Sequence, residues 1–129
     1  MSQETKLSLR AQRRADYLDK VKQCVCQDRN SAHGEAEDNF VTIAEFWSAF
    51  LNRRHGINIK VTALDVADMM VLFKVARSAA NPLHADTRYD MGGYSACGAG
   101  IAAETEERAA ASATSGIVGS LRMADIAMR

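Results

Sequence analysis

Seven carboxylates and three cations are the inventory from which this chain could build chemistry: Glu37, Asp38, Glu45, Asp65, Asp68, Asp86 and Asp90, with Arg29, Lys74 and Arg77. Carboxylates projecting from facing helices are how a helical bundle holds a hard cation. Mg2+ takes one or two of them and completes its shell with water and phosphate oxygens. Lys and Arg then hold the phosphate charge that the metal leaves over. Tyr94 or Trp47 offers a ring on which a base can stack. The spacing is helical: Asp65 and Asp68 share a face near one end of a helix, and Lys74 and Arg77 share one near the other. A plainer cause stands beside this one. Carboxylates at the front of a helix and cations at its back match the helix dipole, and Glu37, Asp38 and Glu45 suit the helix before it in the same way.

Other chemistries lack their residues. No Ser-His-Asp order, P-loop or dinucleotide fingerprint occurs. His33, His55 and His84 fall in expected loops without HxxxH spacing, and Cys24 and Cys26 have no second pair to complete a zinc site. With Cys97 the thiols number three, so no disulfide framework is expected and a reducing cytoplasm is the default location. Lys plus Arg balance Asp plus Glu at 16 each, which predicts no bulk attraction to nucleic acid or acidic membranes. No apolar run approaches the roughly 20 residues that cross a bilayer, and the N-terminus lacks the apolar core of a signal peptide.

The elements that must position these residues are helices. One proline and 6% aromatics, with abundant Ala, Met and Leu, favour helix over sheet. After a frayed end at residues 2–6, a first helix is expected from Leu7 to about Gln27, with Ala11, Ala15, Leu18, Val21 and Val25 as its stripe. Residues 28–39 read as a polar loop turning at Gly34. A second helix runs from about Asp38 to Arg54, with Trp47, Phe46 and Phe50 expected in the core. Gly56 stops it, and an extended linker, Ile57 to Val61, follows. The organising helix, Thr62 to Arg77 and ending near Ala80, opens on a capping box of Thr62 and Asp65. Asn81-Pro82 breaks it, and Leu83 to Tyr89 is expected as a loop with His84, Asp86 and Arg88. A fourth helix is expected from Tyr89 to Glu107, where Gly92, Gly93, Gly98 and Gly100 permit close approach. Together these make an all-α, compact four-helix bundle over residues 1–107, with an Ala/Ser-rich tail or docking helix over 108–129.

The segments RNSAHGEAEDNFVTIAEFW, TALDVADMMVLFKVAR and DTRYDMGGYSACG resemble a family of small phage and prophage proteins. The pattern is an Arg, a Tyr-Gly, a Glu/Asp-Asn-Phe helix start, then D-V-A-x-M-M-x-x-x-K-x-A-R and D-x-x-x-D-x-x-G-Y. The matching positions are Arg29, Gly34, Asn39, Phe40, Trp47, Asp65, Lys74, Arg77, Asp86, Asp90, Gly93 and Tyr94, within about residues 24 to 101. His33 stands where the family has Tyr. In layout the family is similar to all-α nucleoside triphosphate pyrophosphohydrolases of the MazG and dimeric dUTPase kind, and to domains associated with phage nucleotide modification. Here the E-E-x-x-E signature of those enzymes keeps only Glu45, since Val41 and Thr42 replace its partners. The E-x-x-D signature becomes Asp65-x-x-Asp68, or Asp65 with Thr62 in the Glu position.

The resemblance implies a Mg2+-dependent enzyme that converts a nucleoside triphosphate to a monophosphate and pyrophosphate. Its metal ligands would be Glu45, Asp65, Asp68 and Asp90, with Asp65 and Asp90 catalytic. Arg29, Asn39, Lys74, Arg77, Asp86 and Tyr94 would hold the substrate. Two alternatives use the same residues: a non-catalytic protein that binds a nucleotide or nucleotide signal, and a structural phage accessory protein whose charges are salt bridges. Three or more carboxylates in metal reach favour the enzyme, one or two beside Lys74 and Arg77 favour a binder, and mutual pairing without a pocket favours the structural role. Trp47, Phe46, Phe50, Met69, Met70 and Phe73 exceed what one small core can face, so a homodimer or higher oligomer is expected, with the site near its boundary.

Overall fold

Ser8 opens the first helix by accepting a hydrogen bond on its Oγ from the Ala11 amide at 3.2 Å. That helix, α1, spans Leu9–Gln23 and widens into a π-helical turn at Cys24–Asp28. The computed structural model describes residues 6–28 and 35–127, with side chains to residue 119. The expected frayed end at residues 2–5 and loop positions 29–34 lie outside the described residues. So do Arg29, His33 and Gly34.

α2 spans Ala36–His55 and stops at Gly56, whose φ of 63° is a left-handed conformation that glycine adopts without a Cβ penalty. The extended linker after it is held by side chains of α2. Asn52 donates from Nδ2 to the Ile59 carbonyl at 2.9 Å and accepts from the Ile59 amide at 2.8 Å. Ser48 Oγ accepts from the Val61 amide at 2.9 Å. α3 spans Ala63–Ala80 behind a complete capping box: Thr62 Oγ1 accepts from the Asp65 amide at 3.2 Å, and Asp65 Oδ2 accepts from the Thr62 amide at 2.8 Å. α4 spans Ala85–Ala127.

α3 and α4 form the most extensive helix pair, α2 covers α3, and α1 lies along α4. The core sits between α2, α3 and α4, where Phe40, Ala44, Val61, Val66, Ala67, Cys97 and Ile101 are buried. Ile43, Trp47, Leu51, Leu64, Met70 and Tyr94 pack around them. α1 joins through Tyr17, whose hydroxyl donates to the Arg88 carbonyl at 2.7 Å and whose ring stacks on Tyr89 at 5.8 Å. Gly92 makes that approach possible: a Cβ there would stand 2.5 Å from the Tyr17 hydroxyl and 2.8 Å from Val21 Cγ2. The described residues are helical and contain no strand, so the all-α bundle is the fold.

Three expectations are corrected. Phe46 and Phe50 are not core; they are 68% and 65% exposed, and Phe73 from the apolar surplus is 47% exposed. At 100° per residue the inward stripe of α2 is Phe40, Ala44, Trp47 and Leu51, which leaves Phe46 on the far side with no element behind it. The expected loop at Leu83 to Tyr89 is mostly helix, because α4 starts at Ala85 and places Asp86 in the first turn, where its charge suits the dipole. The helix also does not end at Glu107. It continues to Ala127, since Ala-rich sequence is the strongest helix former and carries the backbone on with its side chains exposed through Gly119.

Candidate functional site

Lys74 and Arg77 leave α3 within two turns of its end, and Asp86 and Asp90 lie one turn apart at the start of α4. The Asn81-Pro82 break reverses the chain between them, so all four converge. They line one open cleft of about 570 Å3 together with Ala80, Asn81, His84 and Thr87. Four of the sequence-derived site residues are thus brought together.

Lys74 Nζ meets Asp90 Oδ2 at 2.7 Å, with the side chains 15% and 33% exposed. This is a half-buried ion pair, stronger than a surface pair because less solvent screens it. Arg77 has another support: its guanidinium carbon lies 5.1 Å from the Phe73 ring centre, and Lys74 Nζ lies 5.7 Å from the same ring. Among the described residues Arg77 enters no salt bridge. The turn itself is braced. His84 Nδ1 and Thr87 Oγ1 share a hydrogen bond of 3.2 Å, the His84 amide donates to the Asn81 carbonyl at 3.3 Å, and Arg88 Nη2 donates to the Pro82 carbonyl at 3.5 Å. The first backbone N–H groups of a helix have no partner within it. Those of α4 open beside the cleft, adding the positive end of a helix dipole to Lys74 and Arg77. The arrangement can take an anion with several oxygens.

The other site residues are elsewhere. Asp65 is in the first turn of α3, occupied by the capping box. It precedes Lys74 by nine positions, about 13 Å along the axis. Asp68 is exposed on α3, Glu45 on α2, and Asn39 in the first turns of α2. Tyr94 packs against Phe40 with ring centres 6.1 Å apart. Glu45, Asp65, Asp68 and Asp90 therefore do not converge, and no group of three or more His, Cys, Asp or Glu able to hold a metal exists among the described residues. That four-carboxylate set does not fit one Mg2+. What the cleft offers instead is two carboxylates, Asp86 and Asp90, the second already paired with Lys74.

Asn81, His84 and Thr87 line the cleft without having been singled out as site residues. Their signal was positional: Asn81 and His84 occupy the turn between two helices that each carry candidate charges, and Thr87 lies in the first turn of the second. A second cavity, of about 380 Å3, has Glu37, Asp38, Glu104 and Arg108 around Val41, Leu64 and Ile101.

These features define an all-α helical protein with a charged cleft at one helix turn. The chain belongs to the family described as a domain of unknown function, DUF6378, whose model matches residues 16–102. Its relatives include two phage proteins, each called "Gene 55 protein". The one from Mycobacterium phage D29 is 31% identical over 80 residues, which cover 62% of this chain and 49% of that protein. The one from Mycobacterium phage L5 is 38% identical over 66 residues, covering 51% and 39%. The chain thus spans about half or less of the length of these relatives. No solved structure matches. The match supports the phage family inferred from the sequence motifs. Among the described residues no helix is long and apolar enough to cross a membrane.

Proposed function

We propose that this protein binds a phosphorylated small molecule, of the nucleotide class, in the cleft between the end of α3 and the start of α4. One observation carries the reading: Lys74, Arg77 and the N-terminus of α4 converge on a single open cavity of about 570 Å3. That volume falls in the usual range for small-ligand sites, roughly 300 to 1,000 Å3. Phosphate oxygens accept from Lys, Arg and helix N-terminal amides, and charge-assisted bonds of this kind are the stronger ones. The nucleotide class rests on the family's likeness in layout to MazG-type pyrophosphohydrolases and to phage nucleotide-modification domains.

Binding without hydrolysis is the form the geometry supports best. Only two carboxylates, Asp86 and Asp90, stand beside Lys74 and Arg77. A purely structural role is less well supported, because Lys74–Asp90 is paired while Arg77 and Asp86 line open space. Pyrophosphohydrolase activity remains the second reading. Asp86 and Asp90 on one wall of the cleft favour it, since one or two carboxylates plus substrate phosphates are a common Mg2+ environment.

A thermal-shift panel of nucleoside mono-, di- and triphosphates, with and without Mg2+, tests the proposal, and each mixture is then assayed for pyrophosphate. A rise in Tm with intact nucleotide supports the binder. A rise with pyrophosphate release establishes the hydrolase. No shift with any nucleotide refutes both.

A further inference from the structure

One polar side chain is buried among the described residues, and it lines the cleft. Thr87 is 7% exposed, and its Oγ1 shares a 3.2 Å hydrogen bond with His84 Nδ1. A hydroxyl taken out of water costs free energy unless it is bonded, and no buried side-chain oxygen or nitrogen among the described residues lacks a partner. For Thr87 that partner is the His84 ring. His84 itself is exposed and lines the same cleft as Lys74 and Arg77.

Helix capping does not account for the pair. At the start of α3, Thr62 and Asp65 have the same three-residue spacing, and each side chain bonds the other's backbone amide. At the start of α4 the bond runs from side chain to side chain, and the His84 amide donates instead to the Asn81 carbonyl at 3.3 Å. The ring thus closes no amide of the helix. Its place is fixed twice, by that turn through the backbone and by Thr87 through Nδ1. Nε2, the other ring nitrogen, has no partner among the described residues. The hydrogen bond at one ring nitrogen sets which of the two carries the proton and leaves the other for a ligand.

We infer that His84 is a ligand-contacting residue of the cleft, donating from Nε2–H to an oxygen of the bound phosphate, and that Thr87 is the positioning residue that holds its ring. The inference rests on the phosphate reading of the cleft proposed above. The Thr87 hydroxyl donates to Nδ1, which leaves the proton of the neutral ring on Nε2. A phosphate oxygen accepts and does not donate, so a bound phosphate selects that tautomer. Lys74 and Arg77 reach the cleft from α3 and His84 from the turn, so one phosphate group accepts from two sides. The carboxylates Asp86 and Asp90 compete for these donors, and Asp90 already holds Lys74 at 2.7 Å. His84 Nε2 has no such competitor among the described residues and is open to the incoming anion.

Calorimetric titration of the full chain with inorganic pyrophosphate, without metal, tests the assignment. His84→Asn keeps a polar atom near the Nδ1 position and removes Nε2. Its binding falls about tenfold, the effect of one hydrogen bond to a charged group, while Tm and helical circular dichroism change little. Thr87→Val releases the ring and weakens binding by about threefold or more, and Thr87→Ser restores it. The ring 15N signals of His84, identified by their loss in His84→Asn, place the proton on Nε2 in the pyrophosphate-bound wild type and show it divided between the two nitrogens in bound Thr87→Val. If His84→Asn binds within about twofold of wild type while Lys74→Ala loses binding, the inference is overturned and the phosphate cleft stands. A proton on Nδ1 in the bound wild type, or a Thr87→Ser that fails to recover, also overturns it. A wild type that binds no pyrophosphate overturns both the inference and the cleft reading.

Discussion

Removing the Lys74 ammonium separates two roles that this side chain holds together. In the free protein it pairs with Asp90 at 2.7 Å and lines the cleft, where the proposed function would set it against an incoming phosphate. Surface ion pairs contribute about 0–1 kcal/mol, and breaking a buried pair costs about 3–5 kcal/mol. At 15% and 33% exposure this pair lies between, and Asp90 can rehydrate once Lys74 is gone. Lys74→Ala therefore costs about 1–2 kcal/mol of stability. For a chain of 129 residues that lowers Tm by roughly 3–12 °C. A charge-assisted hydrogen bond to phosphate contributes about 1.5–3 kcal/mol, so the same change weakens pyrophosphate or nucleotide binding by about 10- to 100-fold. Asp90→Ala breaks the same pair with a similar loss of Tm, yet leaves Lys74 free for the ligand, so metal-free anion binding is kept or strengthened. Calorimetric titration of both variants with pyrophosphate, alongside their melting curves, reads the two effects separately. If Lys74→Ala binds within about twofold of wild type, the cleft is not the phosphate site and the ion pair is structural.

Further outcomes follow from the same geometry. Asp65→Asn and Glu45→Gln leave ligand affinity within about twofold, measured by the same titration, because neither side chain lines the cleft. Thr62→Ala removes the capping hydroxyl of α3 and lowers stability by about 1 kcal/mol in urea denaturation, without loss of binding at the other end of the helix. Gly92→Ala drives a Cβ into Tyr17 and Val21 and costs about 1–3 kcal/mol, read as an earlier urea midpoint. Asn52→Ala removes both side-chain bonds to Ile59 and loosens the linker, seen as faster amide exchange at Ile59 and Val61.

The legible parts of the fold were those set by local chemistry. The capping box of Thr62 and Asp65 is visible as a three-residue spacing and forms within one turn. Gly56 is visible as a stop because only a residue without Cβ takes a φ of 63° at no steric cost. The close approach at Gly92 was legible as small residues in α4, but its partner Tyr17 was not, since the Tyr17 hydroxyl is held there by the Arg88 carbonyl, 71 positions away in the chain. The continuous α4 was missed because turn-like residues at 83–89 and glycines further on weaken each local signal, while the Ala-rich run outweighs them over the whole helix.

For the site the same division holds. The sequence alone determined which side chains carry charge, their helical spacing, and so the facts that Lys74 and Arg77 share an end of one helix and that Asp86 and Asp90 share a face of the next. Only the tertiary structure decided which of these meet. The turn at Asn81-Pro82 folds the start of α4 back against the end of α3, so Lys74 reaches Asp90, while Asp65 stays at the far end of the same helix in its cap. Helical periodicity assigns an apolar residue to a face, but whether that face is covered depends on how many elements pack around it. α2 and α3 each have neighbours on one side, and that is why Phe46, Leu72 and Phe73 end at the surface although their residue types belong to a core.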